Sequence, residues 1–486
     1  MTQSALAPER PPERPAERPL VCRPEHRRLI MAAAVLASSM GFIDSSVTSI
    51  ALPAIRLSLG GSLAAAQWVS GAYLLTLSSL ILVGGAASDR FGTVRVYVAG
   101  IVIFVASSAI CMLAQTMVQL DMARAVQGFG AALMVPGSMT LISRAYPRAQ
   151  RGAALGIWAA AATATTASGP VLGGLLLTLG GPEIWRAIFA LNLPLGSAAL
   201  YLLYRYAMAD PGRPDTPLDI PGAGLATLGL GLLAWALTKE GQTSLLLVGA
   251  ALALALFLWR EATAKAPMIR LGMFRSRGFA LANLATLFLY TGLTGVMFYL
   301  PMTAISVWGI SPIGVTAAFL PTSLMITALS STTGKLADRI GPGPLMTVGA
   351  ALVACGYAAL AWNAPSGQFY SHIVPFMALV GFGMALVVAP LTAAIMEYAD
   401  DSEQGAASGI NNAVARASGL IAVAAMGSVA RWSYGAVTAD TPGFGLPGAS
   451  ASHIAATSTA FSHIAAASAV MALASATAAV LIGRKR

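Results

Sequence analysis

Apolar runs of about the 20 residues that a helix needs to cross a bilayer recur along almost the whole chain, separated by short polar stretches. Fourteen can be placed, at 29–55, 64–87, 94–116, 119–144, 150–180, 185–208, 219–238, 243–260, 279–305, 311–334, 343–363, 371–397, 404–432 and 461–483. Each reads as a membrane-spanning helix. The seventh and eighth are the least polar inside and read as a hairpin inserted between two sets of six.

Composition agrees with lipid as the solvent. The chain is 57% hydrophobic and 10% charged, with mean hydropathy +0.73, where a soluble chain carries about a quarter charged residues. A net charge of +10 would suit nucleic acid, but the cations sit in short loops between apolar runs, which excludes that partner. Three distant cysteines, Cys22, Cys111 and Cys355, form neither a disulfide framework nor a metal spacing. The Pro-Glu-Arg units of residues 1–28 cannot bury a core and read as a disordered tail. No cleavable signal is read there, because the first apolar run is too long.

The loop charges set an orientation. One set of loops holds Arg90 and Arg95, then Arg144, Arg148 and Arg151, then Arg205 and Arg213, a basic stretch from Arg260 to Arg277, and Lys335 with Arg339. The alternate loops carry only Arg56, Arg186, Lys239 and Arg431. By the positive-inside rule both termini are expected in the cytoplasm, which requires an even number of spans. The expected domains are a tail at 1–28, a six-helix bundle at 29–208, an inserted pair with its linker at 209–278 and a second bundle at 279–486. An internal repeat supports the division. Gly85 to Gly92 and Gly334 to Gly341 both read Gly-x-x-x-Asp-Arg-x-Gly, with Asp89, Arg90 and Gly92 matched by Asp338, Arg339 and Gly341.

Further motifs are arranged in order. Arg124-Ala-Val-Gln127-Gly-Phe-Gly lies in the fourth run, Gly169-Pro170-Val-Leu-Gly173-Gly174 in the fifth, and Trp185-Arg-Ala-Ile-Phe-Ala-Leu-Asn192-Leu-Pro194-Leu-Gly196 opens the sixth. Together with the Asp-Arg-x-Gly repeat and the Phe42 to Pro53 segment around Asp44, these resemble the major facilitator superfamily, in particular its fourteen-helix drug:proton antiporter family. The resemblance implies an all-α polytopic membrane fold of two six-helix bundles plus a two-helix insertion, usually working as a monomer. It also implies a latch at Asp89, Arg90 and Gly92, a link between Arg124 and proton transfer, and an export-associated rocking segment at Gly169, Pro170, Gly173 and Gly174. The first latch copy departs from the pattern at Ala87 and at Thr93-Val94. The sixth-run motif is expected to be structural.

The residues themselves offer a narrower chemistry. Asp44 is the one ionisable group between Leu29 and Ile55, and an acid inside a membrane span usually marks function. It is either a proton-carrying site tuned by Arg124 or a structural acid satisfied by Ser or Thr. Arg124 itself needs a partner, with Gln127 one turn away, or else snorkels outward or pairs with Asp121. The last six runs contain no acid except Glu397 at a helix end, but do contain Arg416, with Asn412 one turn before it. An inward-facing Arg416 favours an anionic, zwitterionic or polar neutral substrate; alternatively it pairs with Asp44 or with backbone carbonyls. Tyr73, Gln127, Trp158, Tyr290, Asn412 and Arg416 are candidates for a substrate cavity.

No nucleotide loop, nucleophile motif or zinc signature is present, so neither an enzyme, a metal site nor a bound cofactor is expected. The expected function is proton-coupled export of a small amphipathic compound across the cytoplasmic membrane. A uniporter or importer, or a non-transporting membrane receptor, is the alternative.

Overall fold

A computed structural model describes residues 20–400, 403–438 and 443–483. Its helices are α1 (Arg27–Leu59), α2 (Leu63–Phe91), α3 (Thr93–Leu113), α4 (Met117–Ala145), α5 (Arg148–Gly180), α6 (Trp185–Ala190), α7 (Asn192–Tyr206), α8 (Ile220–Thr238) and α9 (Ser244–Thr263). The second half holds α10 (Arg277–Ser306), α11 (Pro312–Ile340), α12 (Pro342–Asn363), α13 (Val374–Glu397), α14 (Gln404–Val437) and α15 (Ala451–Gly483). With α6 and α7 forming one span, 14 helical segments are long and apolar enough to cross a membrane. The fold is all-α, with two six-helix bundles, α1–α7 and α10–α15, and the α8–α9 hairpin between them. The start of α1 and the end of α15 lie at the same end, called inner below; the opposite end is outer.

Polar residues mark where spans begin. The hydroxyls of Ser62, Thr116 and Ser311 accept from the backbone N–H of Ala65, Gln119 and Gly314, and the Asp219 carboxylate accepts from Gly222. Each satisfies one of the orphan donors of a first helical turn.

Within the bundles, paired glycines let helix backbones touch, as membrane packing favours. A Cβ on Gly100 of α3 would lie 2.9 Å from the carbonyl oxygen of Gly130 on α4, and the reciprocal approach is also 2.9 Å. The second bundle repeats the arrangement with Gly349 of α12 and Gly383 of α13, at 2.6 Å each way. The closing glycines of the sequence repeat correspond as well, since Gly92 and Gly341 both adopt positive φ, at 97° and 83°.

Two boundaries differ from the sequence reading. The last span starts at Ala451, ten residues before the expected 461, because its early polar groups are paired. His453 Nδ1 lies 2.7 Å from the Tyr434 hydroxyl, and its Nε2 lies 2.9 Å from the Leu446 carbonyl. The expected tail is also shorter at its inner limit. Val21 and Cys22 are buried, and the Val21 backbone bonds to Arg144 and Met208; residues 1–19 fall outside the described residues.

The two halves meet at the outer end. Gln67 of α2 donates to the Val423 carbonyl at 2.6 Å and to the Tyr299 hydroxyl at 2.8 Å. The Ile313 N–H donates to the Thr178 hydroxyl at 3.1 Å. Toward the inner end α5 and α11 part: a Cβ on Gly152 or Gly156 would meet nothing within 4 Å, and one on Gly334 only Ala389 of its own half. The α2–α14 contact continues further inward, to Leu82 against Gly409. Over this seam lies α8, with Ala234 packed against Leu420 and Ala424. Outside the first bundle, an apolar groove of about 490 Å³ runs between α2, α4 and α8, lined by Leu80, Val83, Phe129 and residues of α8.

Candidate functional site: a buried ion pair in the first bundle

Asp44 sits about 26 Å along α1 from Arg27, at the rise of an α-helix, and is 1% exposed. Its carboxylate forms an ion pair with the Arg124 guanidinium of α4, which is equally buried. Gln127 Nε2 donates to Asp44 Oδ1 at 3.1 Å, and Asn192 Nδ2 donates to the same oxygen at 3.3 Å. Both amides also donate to the Ser108 hydroxyl of α3, at 2.8 and 3.2 Å. Four helices thus converge on one carboxylate. A buried charge is tolerable only when paired and hydrogen-bonded, and this one is both.

Arg124 is held on its other sides too. Its Nη1 donates to Gln127 Oε1, its Nε donates to the Val69 carbonyl at 2.9 Å, and its guanidinium lies 4.5 Å from the Tyr73 ring centre and 5.7 Å from that of Phe189. A cation over an aromatic face gains roughly 0.5–2 kcal/mol. Arg124 is therefore paired with Asp44, not with Asp121 or the interface. Gln127, with no exposed surface, belongs to this network; its carbonyl oxygen accepts from Arg124 and its amide donates to Asp44. Tyr73, 3% exposed, is likewise a wall of the buried site.

The sequence reading missed Asn192 and Ser108. The sixth span breaks at Leu191 between α6 and α7, next to Pro194, which cannot donate to the carbonyl four residues earlier. That break brings Asn192 to Asp44. Its Oδ1 finds no partner in the described residues. An Asn in the middle of an apolar span was the available signal.

The Gly169–Gly174 segment packs on the same stretch of α1. A Cβ on Gly169 would collide with the Ser46 hydroxyl, and one on Gly173 with Val47. Gly174 faces the other half, where a Cβ would lie 2.7 Å from the Pro312 carbonyl and 2.8 Å from Ile313 Cα. Pro170 is buried within the helix. Trp158, nearer the inner end of α5, is half-buried and donates to the Ser38 hydroxyl at 3.0 Å.

Across the interface, Tyr290, Asn412 and Arg416 are half-buried on α10 and α14. Asn412 donates to its own helix at Ser408. Neighbouring Asn411 donates to the Thr286 hydroxyl at 2.7 Å. Arg416 lies one turn before Gly419, which packs against Leu74 of the first bundle, and Asp44 pairs with Arg124 instead of with it.

The two copies of the repeat are used differently. At the first, Arg90 donates to the Thr216 carbonyl at 2.9 Å and the Asp89 carbonyl accepts from Arg213 at 2.8 Å, so both grip the linker that leads to α8. Asp210 of that linker accepts from the N–H groups of Thr93 and Val94, at 2.8 and 3.1 Å, and is ion-paired with buried Arg144. Gly92 fits because a Cβ there would lie 2.5 Å from the Asp210 carbonyl. At the second copy, Asp338 and Arg339 are exposed.

Two layers of six helices around a polar centre, with a small-residue interface that closes at one end, define a membrane transporter, not an enzyme. The chain belongs to the major facilitator superfamily, whose family profile matches residues 34–424. Its relatives include the Methylenomycin A resistance protein of Bacillus subtilis (strain 168), 32% identical over 84% of this chain and 89% of that one. Another is the Cephamycin export protein CmcT of Amycolatopsis lactamdurans, 32% identical over 81% and 84%. The Multidrug resistance protein Stp of Mycobacterium tuberculosis (strain CDC 1551 / Oshkosh) is 32% identical over 83% and 76%. Among solved structures, a bacterial homologue of the human lysosomal transporter Spinster, inward-facing and unoccupied, superposes with TM-score 0.70 at 16% identity, covering 94% of this chain and 97% of that one. A POT family peptide transporter gives TM-score 0.67 at 17% identity, covering 95% and 97%.

Proposed function

We propose that the protein exports a small amphipathic compound in exchange for protons, by alternating access across the cytoplasmic membrane, as a monomer with both termini inside the cell. The observation that carries this reading is the Asp44–Arg124 pair, a lone acid and base buried together at the centre of the first bundle. A proton on Asp44 cancels the charge that holds Arg124. The guanidinium then keeps its stack on Tyr73 of α2 and its bond to Val69 but loses its anion, while α1 carries the change to Ser46 and Val47, against which Gly169 and Gly173 of α5 rest. Proton occupancy is thereby tied to two helices, α2 and α5, that face the other half.

Relatives named for methylenomycin A resistance and for cephamycin export support outward movement of small compounds. With the termini inside, the parted end opens to the cytoplasm, where such a compound would be collected.

The test is proton release from everted vesicles on adding compounds of each charge class. Wild type should dissipate the pH gradient with its substrates. Asp44→Asn should not, and neither should Asp44→Asn/Arg124→Gln, which removes both charges and avoids stranding a buried cation at a cost of about 3–5 kcal/mol. Substrate-driven proton movement persisting in the double variant would show that another group couples transport.

A further inference from the structure

We propose that Arg416 is the anchor for a carboxylate on the transported compound, so that the site selects amphipathic organic anions. This rests on the export reading above and names its substrate class. Five arginines, each buried or half-buried, have fixed acceptors. Arg124 has Asp44, Arg144 has Asp210, Arg56 has the Phe444 carbonyl, Arg186 has the Ala114 carbonyl, and Arg431 has the Leu237 carbonyl and Gln67. Arg416 has no hydrogen bond or ion pair among the described residues.

Its position is one a substrate would meet. On α14, Gly409 packs against Leu82 of α2 and Gly419 against Leu74. Arg416 lies two helical turns from Gly409 and one turn from Gly419, so it leaves α14 on the face turned to the first bundle. It lies about 18 Å along α14 from Gln404, and Tyr290 lies about 20 Å along α10 from Arg277, at the same depth by helical rise. Tyr73, on whose ring Arg124 stacks, lies on the same helix as Leu74, which meets Gly419 one turn from Arg416.

No acid of the second bundle can serve it, because the acids within α10–α15, Asp338 and Glu397, both lie at the inner ends of their helices, α11 and α13. Asp44 is already bound by Arg124, Gln127 and Asn192. With the inner end parted, water solvates the half-exposed guanidinium. Closing the α5–α11 seam shuts that water out, and an unpaired cation in the membrane interior is costly. A carboxylate carried in by the compound removes that cost, so the loaded site closes and the empty one resists closure.

The probes are a matched set: 1-naphthaleneacetate, its primary amide, and 1-naphthylmethylamine. Binding is measured on the full chain in nanodiscs, for wild type, Arg416→Gln and Arg416→Lys. The carboxylate should bind about tenfold or more tighter than the amide, the range expected of a charge-assisted hydrogen bond, with the amine weakest. Arg416→Gln should erase the preference and Arg416→Lys should keep part of it. Tightest binding of the amine, no binding of the carboxylate at millimolar concentration, or a preference that survives Arg416→Gln each overturns the proposal. Asp44-dependent proton exchange driven by all charge classes alike would sink this proposal and leave the export reading intact. An Arg416-dependent preference without proton exchange would do the reverse.

Discussion

Gly174→Ala places one methyl group against the other half of the molecule and should open the outer end. The added Cβ would lie 2.7 Å from the Pro312 carbonyl oxygen, 2.8 Å from Ile313 Cα and 3.0 Å from the Pro312 carbonyl carbon. All three are backbone atoms at the first turn of α11 and cannot rotate aside, so the halves must separate there by some tenths of an ångström. Overpacking of this kind costs about 1–3 kcal/mol. The cost falls on the outer-closed state and is relieved when the halves part, so it shifts a population. At about 2 kcal/mol the ratio of closed to open changes roughly 30-fold. Spin labels at exposed Glu183→Cys and Ser366→Cys, in a background with the three native cysteines replaced by serine, would report it as a growing long-distance component. Gly169→Ala is the control, because its Cβ meets Ser46 of the same bundle. That clash is present in both states and should lower stability without moving the distance distribution. If both variants shift the distribution alike, or Gly174→Ala leaves it unchanged, the assignment of Gly174 to the contact between halves is wrong.

Two more predictions concern the closed outer end and the inner linker. Gln67→Leu removes donors to Val423 and Tyr299 and the acceptor of Arg431; each buried group left unmatched costs about 1–3 kcal/mol, so the same spin pair should report opening. Asp210→Ala strips the carboxylate from buried Arg144 and from the first two amides of α3; a loss of about 3–5 kcal/mol should appear as a lower melting temperature in detergent, and an unchanged one would mean that the linker is not fastened there.

The number of spans and the two-bundle plan were legible because hydrocarbon permits little besides helices of fixed length. The candidate acid was legible for a related reason: Asp44 had no other ionisable group in its own span. Its partners were harder to read. Arg124 could be singled out, but the choice between Asp44 and Asp121 depends on which helix faces which, and the distance of 80 residues between Asp44 and Arg124 is closed only by packing. Asn192 reaches the site through a helix break that a hydropathy window averages away. The early start of α15 was missed because such a window counts His453 as unsatisfied, whereas Tyr434 and the Leu446 carbonyl supply its bonds. Arg56, Arg186 and Arg431 run against the loop-charge rule for a similar reason, since each ties down a carbonyl at the outer end.

The placement of α8 bears on how a lipid-soluble compound would arrive. Two seams divide the halves, and α8 lies over the one between α2 and α14, with Leu230, Ala234 and Leu237 against it. Its far end is fastened by Ser428 and Arg431, both donating to the Leu237 carbonyl. Among the described residues the seam between α5 and α11 has no such cover, and it is parted toward the inner end. A molecule dissolved in the leaflet nearest the termini therefore has a single sideways doorway. Its concentration in that leaflet, rather than in the surrounding water, would set how often the doorway is tried, and apparent affinity within a series of anions should track their partitioning into membrane.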